Sequence, residues 1–294
     1  MPDAVVIGAG PNGLVAANLV ADAGWSVVVL EEQDEPGGAV KSGELTGQPG
    51  FTHDLFSAFY PLAAASPTLR RLELERYGLR WRRGPLALAH PAVDGTCASL
   101  SMDLDETAAS LDAFVPGDGD AWRELIRLLR RTNPHLLAAM ATPMPPVRAG
   151  ARLARELGAS GLVEFARTIL LPVRRLGEER FHGEGARRLL TGNALHTDLA
   201  PEAAFSGFYG ALLATLGQDV GFPCPEGGAG RLTEALVRRL EERGGRVESG
   251  TRATEIVVRR GRAVAVRTPA GDVDARRAVL ADVDAPQLYL ELVP

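Results

Sequence analysis

The feature that most constrains the fold is a strand-helix-strand pattern at the start of the chain. A short apolar run, Ala4 to Ile7, is followed by three glycines in the spacing G-x-G-x-x-G. A helix-compatible stretch comes next, and then a second apolar run, Val27 to Leu30, which ends at Glu31. Short β-branched runs of this kind are typical of buried parallel strands. The order predicts one β-α-β unit of a doubly wound, dinucleotide-binding sheet.

The glycines and the acid each suit a definite part of a dinucleotide. Gly8 lets the chain turn sharply out of the first strand, Gly10 has no side chain between backbone and pyrophosphate, and Gly13 lets helix and strand pack closely. The first N–H groups of the helix have no intrahelical partners and can hold a diphosphate. Glu31, at the end of the second strand, can accept hydrogen bonds from a ribose diol.

A second glycine pair follows the acid. Five residues separate Glu31 from Gly37-Gly38, which brings another backbone segment to the same ligand. This E-x5-G-G continuation resembles the FAD-binding N-terminus of the flavin-dependent amine oxidase and phytoene desaturase superfamily. Proteins of that kind usually carry an arginine directly after the glycine pair, where this chain has Ala39. Lys41 is the candidate substitute for a phosphate contact, and a solvent-facing lysine is the alternative interpretation.

The end of the sequence carries a second region of resemblance to the same superfamily. Gly227-Gly228 precede a predicted helix, Gly244-Gly245 end it, and a strand is expected from Arg246 beside the second strand of the sheet. A predicted β-meander and a strand at 278–281 follow. The resemblance implies that Ala253 faces the adenine.

Three polar residues follow the glycine pair in the pattern PGF-x-x-D-x-x-S. Resemblance to bacterial phytoene desaturase-like oxidoreductases implies that His53, Asp54 and Ser57 lie near the flavin. Capping of turns and helices is the alternative for each of them.

The resemblance implies FAD as the cofactor. No catalytic residue can be named from the sequence. No metal site is expected, because none of the five histidines is spaced from another like a ligand. The predicted cofactor-binding residues are Gly8, Gly10, Pro11, Asn12, Gly13, Glu31, Glu32, Gly37, Gly38, Ala39, Lys41 and Ala253.

The predicted fold class is α/β, with a Rossmann-like FAD-binding parallel sheet, a β-meander and an inserted, mostly helical cap or substrate domain. The flavin domain is expected at 1–74 and 216–294, and the cap at 75–215. Within these, a helix entered through Ser66-Pro67 is predicted in the region 61–74. A hairpin is predicted over about 85–102, with its turn at Asp94-Gly95. Helices are predicted over 103–114, around Trp122, and over about 147–171.

Composition limits the compartment and the partners. A hydrophobic content of 46%, with 23% charged residues, is that of a soluble globular protein, and a net charge of −5 argues against general nucleic-acid binding. The expected compartment is the cytoplasm. The two cysteines are far apart in the sequence, no apolar run reaches 18 residues, and the first predicted strand begins too early to leave room for a signal peptide. Residues 121–190 contain 13 arginines against six glutamates. They indicate either contact with an anionic membrane surface or acidic substrate, or a solvated face balanced by acids elsewhere.

The resemblance implies an oxidoreductase that transfers a hydride from a C–H bond of an apolar substrate, such as a polyene, to flavin N5. Such proteins continue well beyond 281 and return a helix start to the flavin. We therefore expect a fragment, one half of a split enzyme that needs a complementing C-terminal chain, or a shortened relative. The alternatives are a non-catalytic FAD- or ADP-binding module and an NAD(P)-dependent dehydrogenase, which the E-x5-G-G pattern disfavours.

Overall fold

The computed structural model describes residues 1–140, 145 and 147–293. Contacts divide the chain into two compact units: Met1–Arg82 with Cys224–Pro294, and Arg83–Pro223. The expected boundaries, 74/75 and 215/216, put Trp81 and Arg82 in the cap domain. Trp81 pairs with Pro225 and Arg82 with Cys224, and all four residues lie in the first unit.

The described residues form short strands and mostly longer helices. The strands are β1 (Ala4–Ile7), β2 (Val27–Leu30), β3 (Ser42–Gly43), β4 (His53–Asp54), β5 (Trp81–Arg82), β6 (Leu86–Pro91), β7 (Cys97–Ser101), β8 (Cys224–Pro225), β9 (Arg246–Glu248), β10 (Glu255–Arg259), β11 (Arg262–Thr268), β12 (Gly271–Asp274) and β13 (Ala278–Ala281). The helices are α1 (Pro11–Asp22), α2 (Pro61–Ala65), α3 (Pro67–Arg71), α4 (Leu104–Asp112), α5 (Asp118–Met140), α6 (Val147–Leu170), α7 (Val173–Arg180), α8 (Glu184–Leu195), α9 (Ser206–Val220) and α10 (Gly230–Glu242). A 3-10 turn (Leu74–Tyr77) and a π-helical turn (Gln287–Leu292) complete them.

The first unit is built on a four-stranded parallel sheet in the order β13-β1-β2-β9. The predicted position of β9 beside β2 is confirmed. The meander β10-β11-β12 forms a separate antiparallel sheet. A parallel sheet with crossover helices and an antiparallel meander confirms the predicted α/β class.

Both faces of the parallel sheet are covered, which explains why its strands are apolar throughout. Val6 and Val29 face a core shared with α1 and α10. Val5 and Val28 face a second core, to which the meander contributes Ile256. Successive side chains of a strand point to opposite faces, so an unbroken apolar run predicts burial on both.

A buried polar network fixes α10 against α1. Arg239 is 4% exposed, and its Nε donates to the carbonyl of Leu72 at 2.8 Å. One Nη donates to Asn18 at 3.0 Å, and the other to both carboxylate oxygens of Asp22 at 3.0 and 2.8 Å. Asn18 in turn donates to the carbonyl of Leu236 on α10. The planar guanidinium thereby links three separate segments of the unit.

The predicted helix entry at Ser66-Pro67 is confirmed, but the 61–74 region is not one continuous helix. The segment forms α2 and α3, separated at Ser66, which is extended (φ −64°, ψ 120°). Pro67 disfavours the helical conformation for the residue before it, so the helix breaks there. The Ser66 hydroxyl then caps α3 by accepting from the N–H of Leu69.

The second unit is a hairpin packed among helices. Strands β6 and β7 pair antiparallel, and α4, α5 and α6 lie where helices are predicted, so these predictions are confirmed. Asp103 caps α4. The main core of the unit surrounds Trp122 and Phe181, both almost fully buried.

Among the described residues, acids from outside the arginine-rich stretch pair with three of its arginines. Arg130 binds Asp219 at 2.7 Å and Arg174 binds Glu202 at 2.6 Å. On α6, the exposed Arg148, Arg152 and Arg155 recur at helical spacing on one face. Their guanidinium groups form no ion pair with the described residues. The stretch is therefore partly balanced and partly a basic surface.

His90 on β6 packs against α8 at a glycine. A Cβ atom on Gly192 would lie 2.2 Å from the His90 ring, so any larger residue there would displace the ring. The Nε2 of His90 is buried and has no hydrogen-bond partner among the described residues. Burial lowers the pKa of His90 below its usual 6.5, because the charged ring would lose solvation.

Replacing Arg239 tests whether the buried network holds the first unit together. We expect Arg239→Ala to lower the free energy of unfolding by about 3 kcal/mol, since it leaves the Leu72 carbonyl and the Oδ1 of Asn18 without a donor and removes two hydrogen bonds to Asp22. Arg243 also reaches Asp22, at 3.5 Å, but its side chain is 47% exposed. Arg243→Ala is the matched control and should lower the free energy of unfolding by less than about 1 kcal/mol. Equal losses in urea unfolding would contradict the role of Arg239.

The environment of His90 predicts a pH-dependent stability. The unfolded chain binds a proton at His90 more readily than the folded chain, so stability is lost as pH falls below about 6.5. His90→Gln should reduce the fall in melting temperature between about pH 7.5 and about pH 5.5 relative to the unsubstituted protein. Parallel melting curves for the two proteins across this range would argue against the assignment.

Candidate functional site

The turn between β1 and α1 can be made only with glycine. Gly8 has φ +93°, and a Cβ atom there would lie 2.5 Å from the carbonyl oxygen of Asp282. A Cβ atom on Gly13 would lie 2.2 Å from the carbonyl oxygen of Gly8. The first glycine is therefore fixed by its conformation and by crowding, and the third by crowding alone. These are the close approaches that the sequence pattern predicts.

The start of α1 leaves backbone donors unused. Gly10 is the N-cap residue, and no side chain caps the helix from that position. The N–H groups of Gly10 and Asn12 meet no acceptor within the described part of the chain. Pro11, between them, has no N–H to offer. Two free donors at the positive end of a helix dipole fit a diphosphate.

Glu31 lies at the end of β2, where a ribose is expected. Its side chain is 7% exposed, and its two carboxylate oxygens accept from the N–H of Ala9 at 2.8 Å and of Gln33 at 3.0 Å. An ionised carboxylate has about four acceptor positions. Positions therefore remain for a ribose diol while the carboxylate holds the glycine loop.

The second glycine pair lies against the first glycine loop. Gly37 donates to the carbonyl of Ala9 at 2.9 Å. Gly38 has φ +54°, and a Cβ atom on it would lie 3.2 Å from the Cα of Gly10. The structure thus brings together the two segments that the sequence assigns to one ligand.

The remaining predicted residues lie around this pair of loops. Ala39 is exposed, and Lys41 lines a cleft of about 350 Å³ with residues of 35–42 and α10. Glu32 is exposed, and its carboxylate lies 3.8 Å from Nε of Arg252. Ala253 is buried close to the end of β2, because the N–H of Thr251 donates to the carbonyl of Glu31 at 2.7 Å. Phosphate and adenine contacts at these positions stay predictions.

Two of the three candidate flavin-proximal residues, Asp54 and Ser57, have hydrogen-bond partners for their side chains. Asp54 accepts from the hydroxyl of Ser42 at 2.7 Å and from the N–H of Ala229 at 2.6 Å, directly before α10. Ser57 and Tyr60 bind each other, and burial raises the pKa of the Tyr60 hydroxyl. The Nδ1 of His53 is buried without a partner among the described residues. Asp54 therefore serves as a cap, as the alternative interpretation of the sequence proposed.

One residue of the site was not identified from the sequence. Asp282 directly follows β13, which pairs with β1, and its Oδ2 accepts from the N–H of Gly13 at 2.7 Å. The carboxyl ends of adjacent parallel strands meet at one edge of a sheet, so an acid directly after β13 lies near the glycine loop once β13 is paired with β1. That pairing is not encoded in a local pattern of the sequence.

No cluster of three or more histidine, cysteine, aspartate or glutamate side chains suited to a metal occurs among the described residues. Along the described ranges, no helix combines the length and apolar character needed to cross a bilayer.

Comparison with known proteins agrees with the geometry. The profile of a family described as FAD dependent oxidoreductase matches residues 3–288. The chain is 27% identical to the mouse pyridine nucleotide-disulfide oxidoreductase domain-containing protein 2, over 99% of this chain and 55% of that protein. It is 28% identical to the zeta-carotene-forming phytoene desaturase of Myxococcus xanthus, over 98% of this chain and 54% of that enzyme.

Solved structures show the same fold. A putrescine oxidase with putrescine bound superposes with a TM-score of 0.59 at 19% identity, covering 99% of this chain and 60% of the oxidase. The chain thus spans about half the length of the curated relatives that it matches. The resemblance to phytoene desaturases and amine oxidases is confirmed at a distance. The match over residues 3–288 shows that the chain belongs to the family of FAD-dependent oxidoreductases.

Proposed function

We propose that this chain supplies the FAD-binding part of an oxidoreductase that acts on a C–H bond of an apolar substrate. The observation that carries the proposal is the pair of unused donors, the N–H groups of Gly10 and Asn12, beside the buried carboxylate of Glu31. FAD binding is implied by family membership. We assign this binding to individual residues of the chain.

The residues present fit the nucleotide half of FAD. Gly10 and Asn12 bind the diphosphate oxygens, and Glu31 accepts from the ribose hydroxyls. The loop at Gly37-Gly38 closes over the phosphates, and Ala253 offers a small buried surface to the adenine. Glu32, Ala39 and Lys41 border this region, while Gly8, Pro11 and Gly13 shape the turn.

FAD, when bound, supplies a ring that accepts a hydride at N5. The residues of this chain bind and orient, and none is assigned to proton transfer. The unit Arg83–Pro223 is proposed as the cap that receives the substrate. The similarity to a phytoene desaturase supports an apolar substrate such as a polyene, and fold alone would not.

The chain covers about half the length of its curated relatives. We therefore propose that further residues that contact the flavin complete the active enzyme. These residues would lie on the same polypeptide or on a second one. A non-catalytic FAD- or ADP-binding module is the second candidate. Reduction of the bound flavin by a polyene substrate separates the two, since only the enzyme would show it.

A cytoplasmic setting is part of the proposal. Neither Cys97 nor Cys224 forms a disulfide with any described residue, which suits a reducing compartment. Contact of the basic face of α6, formed by Arg148, Arg152 and Arg155, with an anionic membrane surface is proposed as well.

Asn12→Asp tests the diphosphate site. Asn12 is exposed in the first turn of α1, where no acid occurs, so an added carboxylate should stabilise the helix and leave the fold intact. The same charge should repel a diphosphate, and we expect at least about tenfold weaker FAD binding in a fluorescence titration.

Ala270→Asp is the matched control, because it adds one negative charge at an exposed turn of the meander in the same unit. FAD should bind this variant as it binds the unsubstituted protein. Equal affinities of the Asn12 variant and the unsubstituted chain would refute the assignment of the ligand to α1.

A further inference from the structure

The side chain of Asp282 competes for the helix start that the proposed function gives to a diphosphate. The backbone N–H of Asp282 donates to the carbonyl of Ile7 at 2.8 Å, which fixes the residue directly after β13. Its Oδ2 accepts from the N–H of Gly13 at 2.7 Å. A side chain from another strand therefore caps α1, which has no cap from its own N-cap residue.

The carboxylate of Asp282 borders the glycine loop closely. A Cβ atom on Gly10 would lie 3.1 Å from its Oδ2, and a Cβ atom on Gly13 would lie 3.0 Å from the same oxygen. The N–H groups assigned to the diphosphate, those of Gly10 and Asn12, belong to this same segment of the chain. Any phosphate bound there comes close to this carboxylate.

The charges around the loop are unfavourable for a further anion. Glu31 binds the N–H of Ala9 in the same loop, so two carboxylates already hold it. Among the described residues, no arginine or lysine forms an ion pair with Asp282. Like charges at short range in a half-buried place repel strongly, whereas a helix start attracts each of them.

We propose that Asp282 is a residue that sets the affinity of the site for dinucleotides, and this rests on the proposed function of α1. In the ligand-free chain Asp282 caps α1. A diphosphate either displaces its carboxylate or binds beside it against repulsion, and in both cases the charge weakens binding. The chain consequently holds its cofactor loosely and exchanges it.

The test is calorimetric titration of the purified chain with ADP. Asp282→Asn keeps an oxygen that accepts from Gly13 and removes the charge, so the Kd for ADP should fall at least about tenfold. Asp284→Asn is the matched control, since Asp284 is exposed. Among the described residues, its carboxylate accepts only from the N–H of Gln287, and its backbone carbonyl accepts from the N–H of Leu288. The Kd of this variant should stay within about twofold of the unsubstituted value.

Asp282→Ala separates affinity from folding. It removes both the charge and the cap, so it should melt at a lower temperature than Asp282→Asn and still bind ADP more tightly than the unsubstituted chain. A purely structural role for Asp282 predicts the opposite, with weaker binding in the less stable variant.

The outcomes separate this inference from the proposed function. If the unsubstituted chain binds ADP and Asp282→Asn binds it equally or more weakly, the inference fails and the proposed function stands. Tighter binding by Asp284→Asn as well would also overturn it. Binding by Asp282→Asn alone would be its strongest support. If no folded variant binds ADP, both fail.

Discussion

The candidate site depends on two backbone N–H groups that the fold leaves without acceptors. Gly10 and Asn12 present them at the start of α1, and Pro11 removes the donor between them. Unpaired backbone donors are costly unless water or a ligand reaches them. The loop must remain open to an anion, and its glycines keep it open.

Three parallel strands meet at this opening, and each contributes a constraint. β1 ends at the glycine turn, β2 ends at Glu31, and β13 ends at Asp282. Both acids accept from N–H groups of the loop. The free N–H groups of the loop attract an anion, while the two acids beside it repel one. A dinucleotide is therefore bound only when its other contacts with the protein outweigh this repulsion.

The parts of the fold that follow from local patterns could be predicted. The apolar runs give β1 and β2, the glycine spacing gives the turn, and the position of β9 follows from a right-handed crossover. Residues that depend on distant pairing could not be predicted. Asp282 reaches the loop only because β13 lies beside β1, and Arg239 is charged yet buried because acceptors from α1 and from Leu72 converge on it.

Amide spectra of ¹⁵N-labelled protein during addition of ADP would show whether the N–H groups of Gly10 and Asn12 bind the diphosphate. We predict that the largest shifts occur at Gly10 and Asn12, with smaller ones at Gln33 and Gly38. Saturable binding whose largest shifts lie in Arg83–Pro223, or no shifts in the glycine loop at all, would contradict it.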